Sequence, residues 1–181
     1  MERREVIGWL SGFAVSTAMG PLSGVERYRV AETIHASLGT TTSAFTARQA
    51  SMVTMLSDLI LPATDTPGAV DVGVPRFIEH LVANWFSAQE RSDLLAGLAA
   101  TDRLARSRWG RGFLEATVAD RSALLAELDG KDGGPPSAGG AFRRIKSLTV
   151  FGYFTSERVQ TEVLKTVIVP GRYDGCVPVN G

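Results

Sequence analysis

The chain has 181 residues, 44% of them apolar and 21% charged, so it is long enough to bury a core and has the composition of a globular protein. Nineteen basic residues balance nineteen acidic ones, which gives no electrostatic reason to expect a nucleic acid as partner. A single cysteine, Cys176, excludes an internal disulfide framework and a cysteine-rich metal site. No glycine fingerprint follows a predicted strand, so we expect the chain to bind no flavin or nicotinamide by itself.

Residues 1–25 are predicted to be an export signal. Arg3 and Arg4 precede a charge-free stretch from Val6 to Val25, which is the order of charges in a signal peptide. The arginine pair resembles a twin-arginine signal, which sends folded proteins across the bacterial inner membrane, although Val6 and the residue after it depart from that pattern. The alternative is an N-terminal anchor helix that packs on a partner. Residues 26–44, rich in Ser, Thr and Gly, are interpreted as a linker.

Residues 45–181 are predicted to form one helical domain. Thr46 with Gln49 and Ser87 with Glu90 have the spacing of capping boxes, and apolar residues recur at helical spacing after each. Further helix starts are expected at Pro75, at Thr117 and after the glycine-rich stretch "DGKDGGPPSAGG", which is predicted to be a flexible break. No run outside the C-terminal arm favours a strand, so the sequence predicts an all-α fold, a compact bundle of about five to six helices with an extended C-terminal arm.

The last helical block is apolar nearly all round from Leu148 to Phe154. Such a segment is expected to be buried either in its own core or under another chain. Gly152 is expected to weaken the helix, and Thr155 or Ser156 to cap a new one.

No catalytic, cofactor-binding or metal site is predicted within the chain. His80 has no second histidine at helical spacing, and a packed or surface role is its simplest interpretation. The more specific alternative is a catalytic pair in which Cys176 is the thiol nucleophile and His80 the base, but no sequence motif orients such a pair. Three aspartates, Asp58, Asp65 and Asp71, surround a loop; they favour either a solvated loop or a cation site.

Four blocks carry a resemblance: "LSDLILPATDTPGA", "GVPRFIEHLV", "LTVFGYFTSE" and "VPGRYDGCVPV". In this order they resemble the gluconate 2-dehydrogenase subunit 3 family, from about Thr46 to the end of the chain. The resemblance implies a non-catalytic small subunit of a membrane-associated, FAD-dependent sugar or polyol dehydrogenase. In such complexes a large flavoprotein of the glucose–methanol–choline (GMC) type carries the FAD, and a cytochrome c subunit with haem often takes the electrons. The resemblance also implies that the small subunit supplies the twin-arginine signal for a large subunit that lacks one, with the twin-arginine translocase as a further partner. It hence implies a periplasmic location, associated with the inner membrane.

On this interpretation residues 166–181 are a docking tail for the flavoprotein. Cys176 is then a packed contact or, in the sharper alternative, a ligand or relay near the partner's redox centre. Two other functions stay open: a membrane-tethered helical adaptor or chaperone that releases its cargo, and a free-standing thiol enzyme. The residues expected to bind the partner are Phe151, Tyr153, Phe154, Arg172, Tyr173, Cys176, Val177 and Pro178.

Overall fold

The structure is a computed structural model that describes residues 43–130 and 136–166, together with Arg29. Within these ranges it contains five α-helices and no strand, which confirms the predicted all-α fold. The α-helices are α1 (Ala47–Ile60), α2 (Val74–Asn84), α3 (Ala88–Trp109), α4 (Val118–Asp129) and α5 (Pro136–Phe154). A 3-10 turn (Phe113–Glu115) joins α3 to α4, and a π-helical segment (Val159–Val163) follows α5.

Three helices begin directly after the residues predicted to cap them, and side-chain hydrogen bonds are present at each start. The Thr46 hydroxyl accepts the N–H of Gln49 at 3.4 Å, while the Gln49 side chain accepts the N–H of Thr46 at 2.9 Å. Ser87 and Glu90 make the same reciprocal pair at the start of α3. The Thr117 hydroxyl accepts the N–H three residues further on, at 3.2 Å. Each bond pairs an N–H group that the first turn of a helix leaves without an intrahelical partner.

Helix α5 packs against each of the other four α-helices. Its Ile145 and Leu148 are fully buried, as are Phe77 of α2 and Leu98 of α3 that belong to the same core. Because α5 buries residues on so many sides, most of the apolar run from Leu148 to Phe154 lies in the chain's own core. The largest fully buried side chains are Phe77, Phe113, Leu56, Ile78, Leu98, Leu124, Leu128, Ile145 and Leu148.

Helix α5 starts earlier than the sequence predicts. It begins at Pro136, so residues 137–140 are helical and not part of a flexible break. The reason lies in α3, where a Cβ atom added to Gly97 would lie 2.2 Å from the Cβ of Ala141 and 2.4 Å from the carbonyl oxygen of Ser137. The small residues at the start of α5 permit this close contact, and the packing offsets the poor helix propensity of glycine.

Helix α5 also continues through Gly152, which the sequence predicted to weaken it. A Cβ atom at Gly152 would lie 2.7 Å from the Phe77 ring, so the glycine is needed for close packing against α2. A new helical stretch begins directly after Ser156, as expected, but the hydroxyls of Thr155 and Ser156 bond to α5 and not to the new stretch. Their hydroxyls donate backwards, at 2.7 Å to the carbonyl of Phe151 and at 2.8 Å to that of Tyr153, and so satisfy the end of α5.

An ion-pair network holds the 3-10 turn against α1 and α3. Arg48 of α1 donates to Asp102 and to Glu115, each at 3.0 Å, and Asp102 also accepts the N–H of Phe113 at 2.9 Å. The hydrogen bond to Glu115 is the main reason that the pKa of Arg48 is raised above its ordinary value. Burial pushes the pKa of Asp102 upward, but the bonds from the Phe113 N–H, Arg48 and Arg106 outweigh it and leave the pKa lowered. The network therefore requires an ionised Asp102.

Candidate partner-docking site

The loop between α1 and α2, residues 61–73, is compact although most of its side chains are exposed. The N–H of Ala69 donates to the carbonyl of Leu61 at 2.9 Å, which closes the loop. The Asp71 carboxylate accepts the N–H of Gly68 at 2.8 Å. Gly68 has no room for a side chain, because a Cβ there would lie 2.5 Å from the backbone nitrogen of Ala63. The loop therefore presents a defined surface.

The three aspartates of this region either bond to the loop backbone or are exposed to solvent. Asp71 accepts a hydrogen bond from the loop backbone, and Asp58 and Asp65 are exposed. Among the described residues no three His, Cys, Asp or Glu side chains converge as a metal site would require.

Tyr153 ties the end of α5 to this loop. Its side chain is 7% exposed, and its hydroxyl donates to the carbonyl of Pro67 at 2.9 Å. The ring meets that of Phe154 edge-on, with centroids 5.3 Å apart and an interplanar angle of 89°. Tyr153 is among the residues predicted to bind a partner. The structure places it beneath the loop, where its hydroxyl fixes the surface that the loop presents, and its contact with a partner stays a prediction.

Phe151 and Phe154, the other two aromatic residues predicted to bind a partner, differ in exposure. Phe151 is half-buried, with its ring centroid 5.9 Å from that of Phe77. Phe154, the last residue of α5, leaves 37% of its surface exposed. Of the three predicted aromatics Phe154 is therefore the most accessible, and it lies next to the residue that holds the loop.

The chain leaves the bundle at the same end. The π-helical segment is followed by Lys165, whose φ of 50° lies in the left-handed region. Arg158, the residue directly before the segment, donates to Glu162 within it at 2.9 Å. This bond raises the pKa of Arg158, and the nearby charge of Asp71 raises it further.

The remaining predicted residues lie outside the described ranges: Arg3, Arg4, Arg172, Tyr173, Cys176, Val177 and Pro178. His80, the proposed partner of the thiol, is 8% exposed on α2. The structure therefore ties Tyr153 to the loop, with Phe154 against its ring and Phe151 against Phe77. Their contact with a partner and the proposed thiol pair stay predictions.

A second surface feature, which the sequence did not indicate, is a cleft of about 490 Å³ between α3 and the start of α5. Arg144 lines it, donates to Glu90 at 2.6 Å and lies over the Phe86 ring, 4.8 Å from its centroid. The N–H of Ser87 is the main reason that the pKa of Glu90 lies below its ordinary value. Glu90 thus caps α3 and binds α5 at once; the capping box was visible in the sequence, but the contact with α5 was not.

None of the helices in the described ranges combines the length and the apolar character that crossing a bilayer requires.

A family model described as gluconate 2-dehydrogenase subunit 3 matches residues 47–171, from the first residue of α1 past the π-helical segment. The chain belongs to the gluconate 2-dehydrogenase subunit 3 family. Neither the curated proteins nor the solved structures include a significant match to it. The subunit 3 family is named for one component of a gluconate dehydrogenase, which implies association with other subunits.

Proposed function

We propose that this chain is a non-catalytic accessory subunit that binds and stabilises the catalytic flavoprotein of a sugar or polyol dehydrogenase. The observation that carries the proposal is the family match, which spans every α-helix of the body. The catalytic partner is a large GMC-type subunit that holds the FAD, and a cytochrome c subunit with haem takes the electrons from it.

Several ion pairs in the described part of the body join its helices to one another. Arg108 donates to Glu127 at 2.6 Å and links α3 to α4. Lys146 donates to Asp129 at 2.6 Å and links α5 to α4. Such ion pairs hold together the bundle on which the proposed partner docks.

The docking surface of the proposal consists of the loop 61–73 and the tail that follows Thr166. Val70 is 39% exposed on a loop that Tyr153 holds from below, so the surface is formed before the partner arrives. Preorganisation of this kind lowers the entropy cost of association. The tail then extends over the flavoprotein, where Cys176 packs as a small apolar side chain.

The proposal includes export. Arg3 and Arg4 direct the chain to the twin-arginine translocase, and the flavoprotein crosses the inner membrane bound to it. The complex then works in the periplasm, associated with the inner membrane. A pathway that carries folded cargo suits such a complex, because the flavoprotein can take up its FAD before export.

Co-purification tests the proposal. A tagged full-length chain, co-expressed with a GMC-type flavoprotein from the same genome, is expected to retain it at a fixed ratio. Val70→Asp is expected to reduce the yield of complex, whereas Val118→Asp, at a 63% exposed position that begins α4, should not. Circular dichroism must show that both variants stay helical. Transient binding followed by release would favour the adaptor function, and equal loss in both variants would contradict the docking surface.

Cys176→Ser separates the two roles of the thiol within the complex. A packed contact predicts less complex but unchanged turnover per complex. A ligand or relay predicts normal assembly with loss of dye reduction. Turnover by the isolated chain that disappears on alkylation would favour the thiol enzyme and contradict the proposal.

A further inference from the structure

The cleft between α3 and α5 is large enough to hold a small molecule. The described residues that line it belong to α3 and to the first half of α5, and its volume is about 490 Å³. Binding sites for small molecules commonly have volumes of roughly 300–1,000 Å³. Gly140 lines the cleft, and a Cβ atom there would meet nothing within 4 Å. Asp93 and Ser137, also in the lining, are exposed, so the cleft is open to a ligand from solvent.

The lining combines apolar surface with polar side chains of both charges. Leu94 and Ala141, which are 3% and 6% exposed, supply apolar surface. The polar side chains of the lining are Glu90, Asp93, Ser137 and Arg144. A molecule in the cleft thus meets an apolar wall and hydrogen-bonding groups at the same time.

Two of the polar side chains have hydrogen-bonding groups that remain available. Arg144 uses one guanidinium nitrogen for its bond to Glu90 and lies over the Phe86 ring, so its position is fixed. A guanidinium has several N–H donors, and Arg144 makes no other side-chain hydrogen bond within the described part of the chain. Asp93 accepts one bond from Gln89, at 2.8 Å through Oδ1, which leaves Oδ2. The cleft therefore offers a donor from α5 and an acceptor from α3.

The charges of the lining disfavour an ionic ligand. Glu90 and Arg144 form an ion pair, and Asp93 adds a second carboxylate. An anion attracted to Arg144 would be repelled by both carboxylates, and a cation attracted to Asp93 would be repelled by the guanidinium. A hydroxyl group carries no charge and both donates and accepts, so it can bond to Arg144 and to Asp93 alike.

We infer that the cleft binds a neutral molecule with several hydroxyl groups, of the size of a monosaccharide or a sugar alcohol. Its hydroxyls bond to Arg144 and Asp93, and its C–H groups lie on Leu94. The site lies along the first half of α5, whereas the loop 61–73 is tied to Tyr153 near the end of this helix. Binding is a property of this chain alone, so it holds or fails independently of the proposed flavoprotein.

Saturation-transfer difference NMR on the full-length chain tests this inference. The probes are D-glucose and D-glucitol, with acetate as the anionic control and methylammonium as the cationic control. Both neutral probes are expected to receive saturation from the protein. Their Kd is expected to be on the order of 1 mM, because a few hydrogen bonds at an open site give weak binding. Neither ion is expected to reduce the signal of D-glucose.

Three variants locate the binding. Asp93→Ala is expected to raise the Kd for D-glucose about tenfold, because it removes a charged hydrogen-bond acceptor. Asp58→Ala, at an exposed carboxylate of α1, is the matched control and should leave this Kd unchanged. Gly140→Leu is expected to abolish binding, because its side chain fills part of the cleft. Circular dichroism must show that all three variants stay helical.

Four results would overturn the inference of a polyol site in the cleft. The first is that neither neutral probe binds, and the second is that acetate or methylammonium displaces D-glucose. The third is that Asp58→Ala weakens binding as much as Asp93→Ala. The fourth is that Asp93→Ala and Gly140→Leu both bind D-glucose as the wild type does.

Discussion

Tyr153→Phe is expected to loosen the loop 61–73 more than the rest of the protein. The change removes only the hydroxyl that donates to the Pro67 carbonyl at 2.9 Å, and leaves the ring against Phe154. A hydrogen bond of this kind contributes about 0.5–1.5 kcal/mol net. Because Pro67 is half-buried, water can reach its carbonyl in the variant, which keeps the loss near the middle of that range.

Hydrogen exchange and thermal unfolding measure this prediction together. If the loop is about 1 kcal/mol less stable, the hydrogen-exchange rate rises roughly fivefold at the amides that bonds within the loop protect, such as that of Ala69. The corresponding decrease in Tm is about 2–4 °C for a chain of this size. Ser107→Ala is the matched control, because it removes a hydroxyl bond of 2.9 Å within α3, away from the loop. Equal protection of the Ala69 amide in Tyr153→Phe and wild type would refute the role of Tyr153 in holding the loop.

Three further predictions concern packing, pH and export. Gly97→Ala should lower the free energy of unfolding by about 1–3 kcal/mol because its Cβ would overlap α5, whereas Gly140→Ala, whose Cβ meets nothing within 4 Å, should raise it by about 0.5–1 kcal/mol in thermal melts. The lowered pKa of Asp102 stabilises the fold above the ordinary value of 3.8, and this contribution disappears as the pH falls through the folded-state pKa. Asp102→Asn should therefore destabilise the protein at pH 7 and flatten the dependence of its stability on acid pH; a parallel curve would contradict this. Lysine at both Arg3 and Arg4 should retain the chain and its flavoprotein in the cytoplasm in cell fractionation, and export of the flavoprotein by the variant would contradict escort.

Local signals made the helix starts predictable from the sequence. A capping box such as Thr46 with Gln49 needs only residues three apart, so it can be identified without knowledge of the fold. The start of α5 could not be predicted in this way, because helicity of its glycine-rich turn depends on Gly97, some forty residues earlier. Gly152 is a similar case, because the contact that requires a glycine there is with the ring of Phe77 on another helix.

The sequence singled out the end of α5 but not the contacts that its residues make, and their binding to a partner stays a prediction. The apolar run to Phe154 indicated an unusual end of the bundle, and the structure places the loop there as well. Sequence alone could not distinguish a core contact from a partner contact, because both require an apolar side chain. The sequence therefore predicted Tyr153 only as a partner contact. The structure adds that its hydroxyl donates to the Pro67 carbonyl within the same chain. The network around Asp102 joins residues more than fifty positions apart and left no local pattern.

The direction in which the chain leaves the bundle depends on the number of residues in the π-helical segment Val159–Val163. A π turn is an α-helical turn with one residue too many. Removal of one residue there would restore an ordinary helix and rotate everything that follows by about 100°, the angle between successive residues of an α-helix. Residues 164–166 would then leave the bundle on a different side, while the five α-helices stay unchanged. A single insertion or deletion in this segment would thus redirect the chain without changing the core.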